Sequence, residues 1–175
     1  MNLTIGQSIN VDVYFENNYQ GNLAERDLHQ IGYVNWEGWF YTWLSFLSID
    51  CQIPQECELS LRLTGDRQIQ AFNYQYRALD LATDVLAFAA TESKLLLPND
   101  IDEPLYLGDI IISLDTALKQ AKAQKHSLIG ELAWLASHGL LHLLGWDHPD
   151  DGSLRLMLEQ QSKLVQSLKI PNADL

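Results

Sequence analysis

Three histidines in the C-terminal third of the chain have the residue type and spacing that a metal site requires. His138, His142 and His148 lie within the sequence HGLLHLLGWDH. Residues four apart on a helix leave the same face, so His138 and His142 can share one ion. Gly145 ends the predicted helix and lets the chain turn back, which brings His148 toward that ion. Three imidazole nitrogens leave one tetrahedral position open, as in catalytic zinc sites.

Two other interpretations of these histidines are open. In the first, they belong to an amphipathic helix without a metal, but each imidazole among the leucines then needs its own buried hydrogen-bond partner. In the second, the spacing is that of the metzincin zinc peptidases, HExxHxxGxxH, which use the glutamate as general base. Gly139 stands at the glutamate position and has no side chain to move a proton. The peptidase alternative therefore lacks its central acid–base group.

The hydrophobic pattern predicts the elements that must hold these histidines. Alternating or continuous apolar runs predict strands at residues 8–15, 58–64, 84–89 and 107–113. Helical spacing predicts helices from residue 25 with an interruption near Gly32, then at 36–47, 66–76, 115–124, 127–144 and up to about 168. Asp66 and Ser127 are the predicted caps of their helices. Residues 95–103 are predicted as an exposed turn.

These elements predict the fold class. Strands and helices are mixed without regular βα alternation, which indicates an α+β protein. We expect a single domain over residues 1–175, with a small mixed sheet of about four strands packed against several helices. The metal site then lies on the penultimate helix and the turn that follows it, as in zincins.

Composition limits the classes of function. The 175 residues include 11 basic and 23 acidic side chains, a net charge of −12, which argues against a broad nucleic-acid-binding face but not against one local cationic site. No apolar run is long enough to cross a membrane, and the N-terminus has no basic region of a secretory signal. The two cysteines, Cys51 and Cys57, are expected to be free thiols. We expect a cytoplasmic protein.

Several segments together resemble one known family. The histidine segment resembles the HGxLHLxGxDH signature of the YbeY family of single-strand-specific endoribonucleases, which act in rRNA maturation. Residues 76–80 and 83–88 are similar to its YRxxD and TDVLSF segments, 107–113 to its LGDIxIS strand, and 155–168 to its last helix. The resemblance extends from about Arg77 to the C-terminus, and the N-terminal third matches in general pattern only.

The resemblance implies one zinc ion on His138, His142 and His148, and a functional arginine at Arg77. It also implies that single-stranded RNA, in particular rRNA, is the substrate, with a role in ribosome quality control. A planar guanidinium can hold two oxygens of a phosphate whose negative charge grows during cleavage. The alternative for Arg77 is a surface salt bridge with Asp80 or Asp84.

A non-catalytic function is also open. The acidic surface fits a ribosomal protein or assembly factor with basic patches, and zinc would then only hold the last two helices together. The sequence does not indicate the RNA target, the native metal, the general base or the oligomeric state. It leaves open whether water or the RNA 2′-hydroxyl attacks phosphorus.

Four further groups have weaker claims to a role. Asp147 either orients a ligand imidazole or stabilises the turn. Glu131 either orients a water molecule or faces solvent. His29 and His126 are expected on the surface. A basic helix edge is a secondary candidate for phosphate contact; it consists of Lys119, Lys122 and Lys125.

Overall fold

A computed structural model describes residues 9–48, 53–92 and 103–171. Its four strands are β1 Asn10–Asn17, β2 Glu56–Thr64, β3 Val85–Ala89 and β4 Leu105–Ser113. Its six α-helices are α1 Glu25–Gly32, α2 Trp36–Leu47, α3 Asp66–Arg77, α4 Leu114–Gln124, α5 Leu128–Leu143 and α6 Asp151–Ser167. A short 3-10 helix, Ala90–Glu92, follows β3. The predicted turn at 95–103 lies, apart from its last residue, outside the described residues.

The strands form one mixed sheet in the order β1-β2-β4-β3. The first three of these run parallel, and β3 pairs antiparallel with β4 at the edge. The alternation in β2 explains its central place, because Leu59, Leu61 and Leu63 are all fully buried on one face. The predicted α+β class and the four-stranded mixed sheet are confirmed.

The two faces of the sheet are covered unequally. On one face α5 packs against β3 and β4, while α2 packs against β1 and also contacts α6. The indole Nε1 of Trp43 in α2 donates to the carbonyl of Leu164 in α6 at 2.9 Å, which joins these two helices inside the main core. On the other face α3 covers a small cluster built on Ile69, Leu86 and Ile111. Helix α5 is therefore held on a rigid base, as a site of fixed geometry requires.

Two helix ends agree with the sequence-based predictions, and one differs from them. Helix α1 ends at Gly32, and the Ser127 hydroxyl accepts the Gly130 N–H at 3.0 Å as the N-cap of α5, both as predicted. Asp66, however, is the first residue of α3 rather than its cap. The N–H of Asp66 donates to the Asp115 carboxylate of α4 at 2.9 Å. A residue distant in sequence thus replaces the expected local cap.

Gly108 introduces a bulge into β4. Glu58 pairs with Tyr106 while Ser60 pairs with Asp109, so β4 carries one extra residue at this point. Gly108 has φ +135°, and a Cβ there would lie 2.1 Å from the carbonyl oxygen of Phe88 and 3.0 Å from the Leu143 side chain. The bulge therefore brings backbone close to the end of α5, where His142 lies.

We predict that Gly108→Ala lowers the free energy of unfolding by about 3 kcal/mol. A left-handed φ strains an alanine, and the new methyl group collides with backbone that cannot move away. Urea denaturation of both proteins measures the difference. Gly32→Ala is the matched control, because a Cβ at Gly32 meets nothing within 4 Å. Equal effects of the two substitutions would contradict the assigned strain.

Two remaining features bear on the sequence predictions. Cys57 is a free, buried thiol that donates to the Pro54 carbonyl at 3.3 Å, whereas Cys51 lies outside the described residues. Across the described ranges no helix combines the length and the apolar character that a membrane span needs.

Candidate metal centre

The three histidine rings lie side by side. The Nε2 atoms of His138 and His142 are 3.0 Å apart, and their ring centroids are separated by 4.6 Å. The ring of His148 lies 5.6 Å from the first and 5.3 Å from the second. One nitrogen from each ring lies within 4.8 Å of the other two. We call these three residues the histidine triad.

The end of α5 directs the chain back toward the triad. Gly145 has φ +87°, its N–H donates to the His142 carbonyl at 3.0 Å, and the Trp146 N–H donates to the Leu141 carbonyl at 3.0 Å. This pair of bonds is the Schellman motif, in which a glycine takes the left-handed position. Asp147 then accepts the His148 N–H at 2.8 Å, so its carboxylate stabilises the turn.

A buried amide fixes the ring of His138. Gln161 of α6 is fully buried, and its Nε2 donates to the Trp134 carbonyl at 2.8 Å. Because a carbonyl can only accept, this bond orients the amide so that Oε1 faces His138 Nδ1, at 3.2 Å. Nδ1 must then carry the proton, which leaves Nε2 of His138 with a free lone pair toward the triad. Sequence reasoning missed Gln161, although a glutamine at a core position of an amphipathic helix is a usable signal.

The triad fits a divalent transition metal. Burial lowers the pKa of His138 and of His142, and the neighbouring imidazoles lower both further, so these rings are neutral at pH 7. Neutral imidazole is the form that binds a metal. Two nitrogens on one tetrahedral zinc stand about 3.3 Å apart, close to the 3.0 Å between His138 and His142. Within the described part of the chain, no thiolate or carboxylate joins the cluster.

Arg77 lies against the edge strand β3, near enough to the triad for its charge to act on His142. Its Nη2 donates to the Ala87 carbonyl of β3 at 3.1 Å, and its guanidinium lies 5.7 Å from the centre of the Phe88 ring. Burial lowers the pKa of His142 most, the imidazole of His148 lowers it further, and the positive charge of Arg77 adds a smaller effect in the same direction. The structure thus brings Arg77 and the triad together from elements far apart in sequence.

The alternative of a surface salt bridge between Arg77 and Asp80 or Asp84 is not found. Across residues 9–48, 53–92 and 103–171, no carboxylate lies within ion-pair distance of this guanidinium. Asp80 instead accepts from Gln70 at 2.9 Å, and Asp84 from Gln120 at 2.9 Å. Arg77 therefore keeps most of its donors for another ligand.

Two of the weaker candidates are buried together, away from their predicted environments. The side chains of His126 and Glu131 are 4% and 2% exposed, with His126 Nε2 2.9 Å from Glu131 Oε2. Burial raises the pKa of Glu131 to about 7. The predictions that His126 lies on the surface and that Glu131 faces solvent are wrong, because the two side chains contact each other in the interior at the start of α5.

The predicted basic helix edge is partly neutralised. Lys119 Nζ lies 2.7 Å from the Asp66 carboxylate, which also accepts from Ser113 and Thr116 at 2.6 Å each. This ion pair fastens α4 to the start of α3. Lys119 is thus paired with a carboxylate, and phosphate contact by this edge stays a prediction.

Comparisons with known proteins identify relatives that share one family description. A family model described as "Endoribonuclease YbeY" matches residues 22–169. A protein of that name from Trichormus variabilis is 53% identical over 142 residues, 81% of each chain. One from a Cyanothece species is 47% identical over 165 residues, 93% of this chain and 95% of its own.

A solved structure supports the fold independently. The solution structure of TM1509 from Thermotoga maritima superimposes with a TM-score of 0.54 at 20% identity, covering 94% of this chain and 97% of that one. At this identity the likeness bears on the fold alone. The match over residues 22–169 and the relatives at about half identity confirm the resemblance noted in the sequence: the chain belongs to the YbeY family.

Proposed function

We propose that this chain is a zinc-dependent endoribonuclease that cleaves single-stranded RNA and acts in rRNA maturation and ribosome quality control. One observation carries the proposal: three imidazoles lie close enough together to share an ion, and the charge of Arg77, which has no acidic partner within the described residues, acts on one of them. The relatives that bear the name endoribonuclease support it. We also propose that residues 1–175 act as one domain in the cytoplasm, with the ribosome as a partner.

His138, His142 and His148 would hold the metal in this proposal. Three neutral imidazoles with a vacant fourth position are the donor set of catalytic zinc, which supports zinc among the divalent metals. When bound, the metal supplies Lewis acidity toward a phosphate oxygen. The chain itself holds the rings at fixed angles, through Gln161 for His138 and through the turn at Gly145 for His148.

Arg77 would bind the scissile phosphate. Its Nη2 is anchored on the Ala87 carbonyl, so the guanidinium is held in place, and within the described residues no carboxylate pairs with its other N–H donors. Two of them can pair with the two non-bridging oxygens, whose negative charge grows as the phosphodiester is attacked. This local positive charge also meets the objection that the whole chain is acidic, because the site need not share the sign of the net charge.

The peptidase alternative is not favoured. A Cβ on Gly139 would lie 2.8 Å from Cγ2 of Ile110, so this position of α5 faces the sheet and not a substrate. A glutamate could not act there as general base without displacing β4. The alternative of a purely structural zinc is also disfavoured, since a structural site is closed by four protein ligands and the described residues offer three at this cluster.

The proposal predicts a measurable role for Gln161 in metal binding. Gln161→Met keeps the volume but removes the acceptor for His138 Nδ1, and we expect metal affinity to fall by about 10- to 100-fold. Competition with a chromophoric chelator measures the affinity. Gln161→Glu keeps an acceptor for His138 Nδ1 and should retain most of the metal affinity. Unchanged affinity in Gln161→Met, with the metal-free protein equally stable, would contradict the role.

Reconstitution tests the proposed function itself. The chain is stripped of metal, reloaded with zinc or manganese, and given end-labelled RNA in single-stranded and duplex form. We expect the reloaded protein to cut the single strand faster, and the stripped protein to be inactive. Chemical analysis of the product ends distinguishes attack by water from attack by the 2′-hydroxyl. Cleavage of RNA at an unchanged rate by metal-free protein, or of a peptide by the loaded protein, would overturn the proposal.

A further inference from the structure

Three aromatic rings and two arginines form a continuous row on the face of the sheet that α3 covers. Phe72 and Tyr76 lie one turn apart on α3 with ring centroids 6.4 Å apart and nearly parallel planes. Tyr76 in turn lies 5.1 Å from Phe88 of β3. We call Phe72, Tyr76 and Phe88 the aromatic row.

An arginine stands at each end of the aromatic row. The guanidinium of Arg62 lies 5.6 Å from the centre of Phe72, and that of Arg77 lies 5.7 Å from the centre of Phe88. Arg62 is neutralised by Glu16 at 3.0 Å, whereas Arg77 has no acidic partner within the described residues. The positive end of the row is therefore the end that lies beside the histidine triad.

Tyr76 is the ring of the row that is open to a ligand. It is 59% exposed, while Phe72 and Phe88 are half-buried and pack against the cluster of Ile69, Leu86 and Ile111. The two phenylalanines thus form a floor that supports the tyrosine ring. A large aromatic side chain left this exposed beside a guanidinium is a surface that can stack a planar ring.

We infer that the aromatic row is a nucleobase-stacking subsite for the RNA strand, with Tyr76 as the residue that contacts a base next to the cleaved bond. This inference rests on the proposed ribonuclease activity. A phosphate bound between Arg77 and the triad places the next nucleotide over the edge of β3, where Arg77 contacts both Ala87 and the Phe88 ring. Aromatic rings with interspersed arginine are the combination that binds single strands without sequence readout.

The subsite also accounts for strand selectivity. In a duplex each base already stacks on its neighbours and pairs across the helix, so its face is not available to Tyr76. A single strand can turn one base out at low cost and lay it on the ring. The row therefore predicts preference for single-stranded RNA with little preference for base identity.

Substitution of Tyr76 combined with removal of one base from the RNA tests the inference. Tyr76→Leu keeps apolar area but removes the π face, and we expect KM for single-stranded RNA to rise roughly 5- to 150-fold with kcat little changed. Tyr76→Phe should keep the wild-type KM. Tyr74→Leu is the matched control, because Tyr74 is 63% exposed on α3 but contacts none of the three rings.

Abasic RNA makes the test specific for a base. Oligonucleotides that lack one base at successive positions around the cleavage site are compared in the metal-loaded wild type and Tyr76→Leu. We expect one abasic position to raise KM for the wild type and to have no further effect on the variant. If every abasic position affects both proteins alike, or KM of Tyr76→Leu equals that of the wild type, the inference fails. If the loaded wild type cleaves no RNA, the proposed function fails instead.

Discussion

Replacement of His142 by alanine should remove metal binding and RNA cleavage together. His142 contributes the nitrogen that lies 3.0 Å from His138 Nε2, at the centre of the triad. Loss of one of three ligands should weaken metal binding by more than about 100-fold, since even an outer contact of a ligand contributes about 10- to 100-fold. Cleavage should fall by roughly 10³-fold, because Lewis acidity contributes several kcal/mol to stabilising the transition state. Chelator competition and single-turnover cleavage measure the two losses.

A second histidine provides the control for this substitution. His29 is exposed on α1 and contacts only the ring of Tyr33 among the aromatic side chains, at 5.1 Å. His29→Ala should bind metal and cleave RNA as the wild type does. The His142→Ala protein should remain folded, because the apolar residues of α5 and not the triad fill the core. Full cleavage by a His142→Ala protein that holds no metal would refute the metal-dependent mechanism.

The parts of the site that sequence reasoning predicted are those fixed by local geometry. The four-residue spacing of His138 and His142 sets their common face once α5 is a helix. Gly145 determines the turn through its own backbone conformation and two bonds within the last turn of the helix. Because all these relations span fewer than about a dozen residues, they could be read without knowing where the sheet lies.

The parts that sequence reasoning did not predict depend on contacts between distant segments. The family resemblance named Arg77, but its position depends on β3, which pairs with β4 and holds the guanidinium through the Ala87 carbonyl. Gln161 meets His138 because α6 folds back along α5. His126 and Glu131 are both polar, so the local pattern favoured the surface for them, whereas the fold buries the two side chains against each other. No periodicity within one element contains this information.

The net charge of the whole chain differs in sign from the local charge at the site. The net charge of −12 describes the surface as a whole and disfavours long-range attraction of RNA. Arg77 contacts a backbone carbonyl and an aromatic ring, and within the described residues no carboxylate lies at ion-pair distance to cancel its positive field. Binding of the strand then depends on short-range contacts, which favours stacking and bidentate phosphate contacts over a broad basic face.

Arg77→Ala should lower kcat for RNA cleavage by about 10²- to 10³-fold while leaving metal affinity near that of the wild type. Removal of one preorganised donor to a developing oxyanion typically lowers kcat by this factor. Metal affinity should not change, because Arg77 does not bind the metal. Arg77→Lys should recover only a small part of the kcat that Arg77→Ala loses. Lysine is a point charge that cannot hold both phosphate oxygens in one plane while it also contacts the Ala87 carbonyl. Single-turnover cleavage and chelator competition on the same preparations measure both quantities.

Comparison of the cleavage rate with the metal affinity distinguishes a phosphate-binding role of Arg77 from a structural one. If the guanidinium only pins the edge of β3, Arg77→Ala should lower thermal stability, and Arg77→Lys should restore stability and cleavage to the same degree. If it binds phosphate, cleavage falls in both variants although both stay folded and loaded. Arg26, whose side chain is 80% exposed and pairs with Asp27, gives the matched control Arg26→Ala, which should leave both quantities unchanged. Equal loss of metal affinity and cleavage in Arg77→Ala would place the arginine in the support of the triad and not on the substrate.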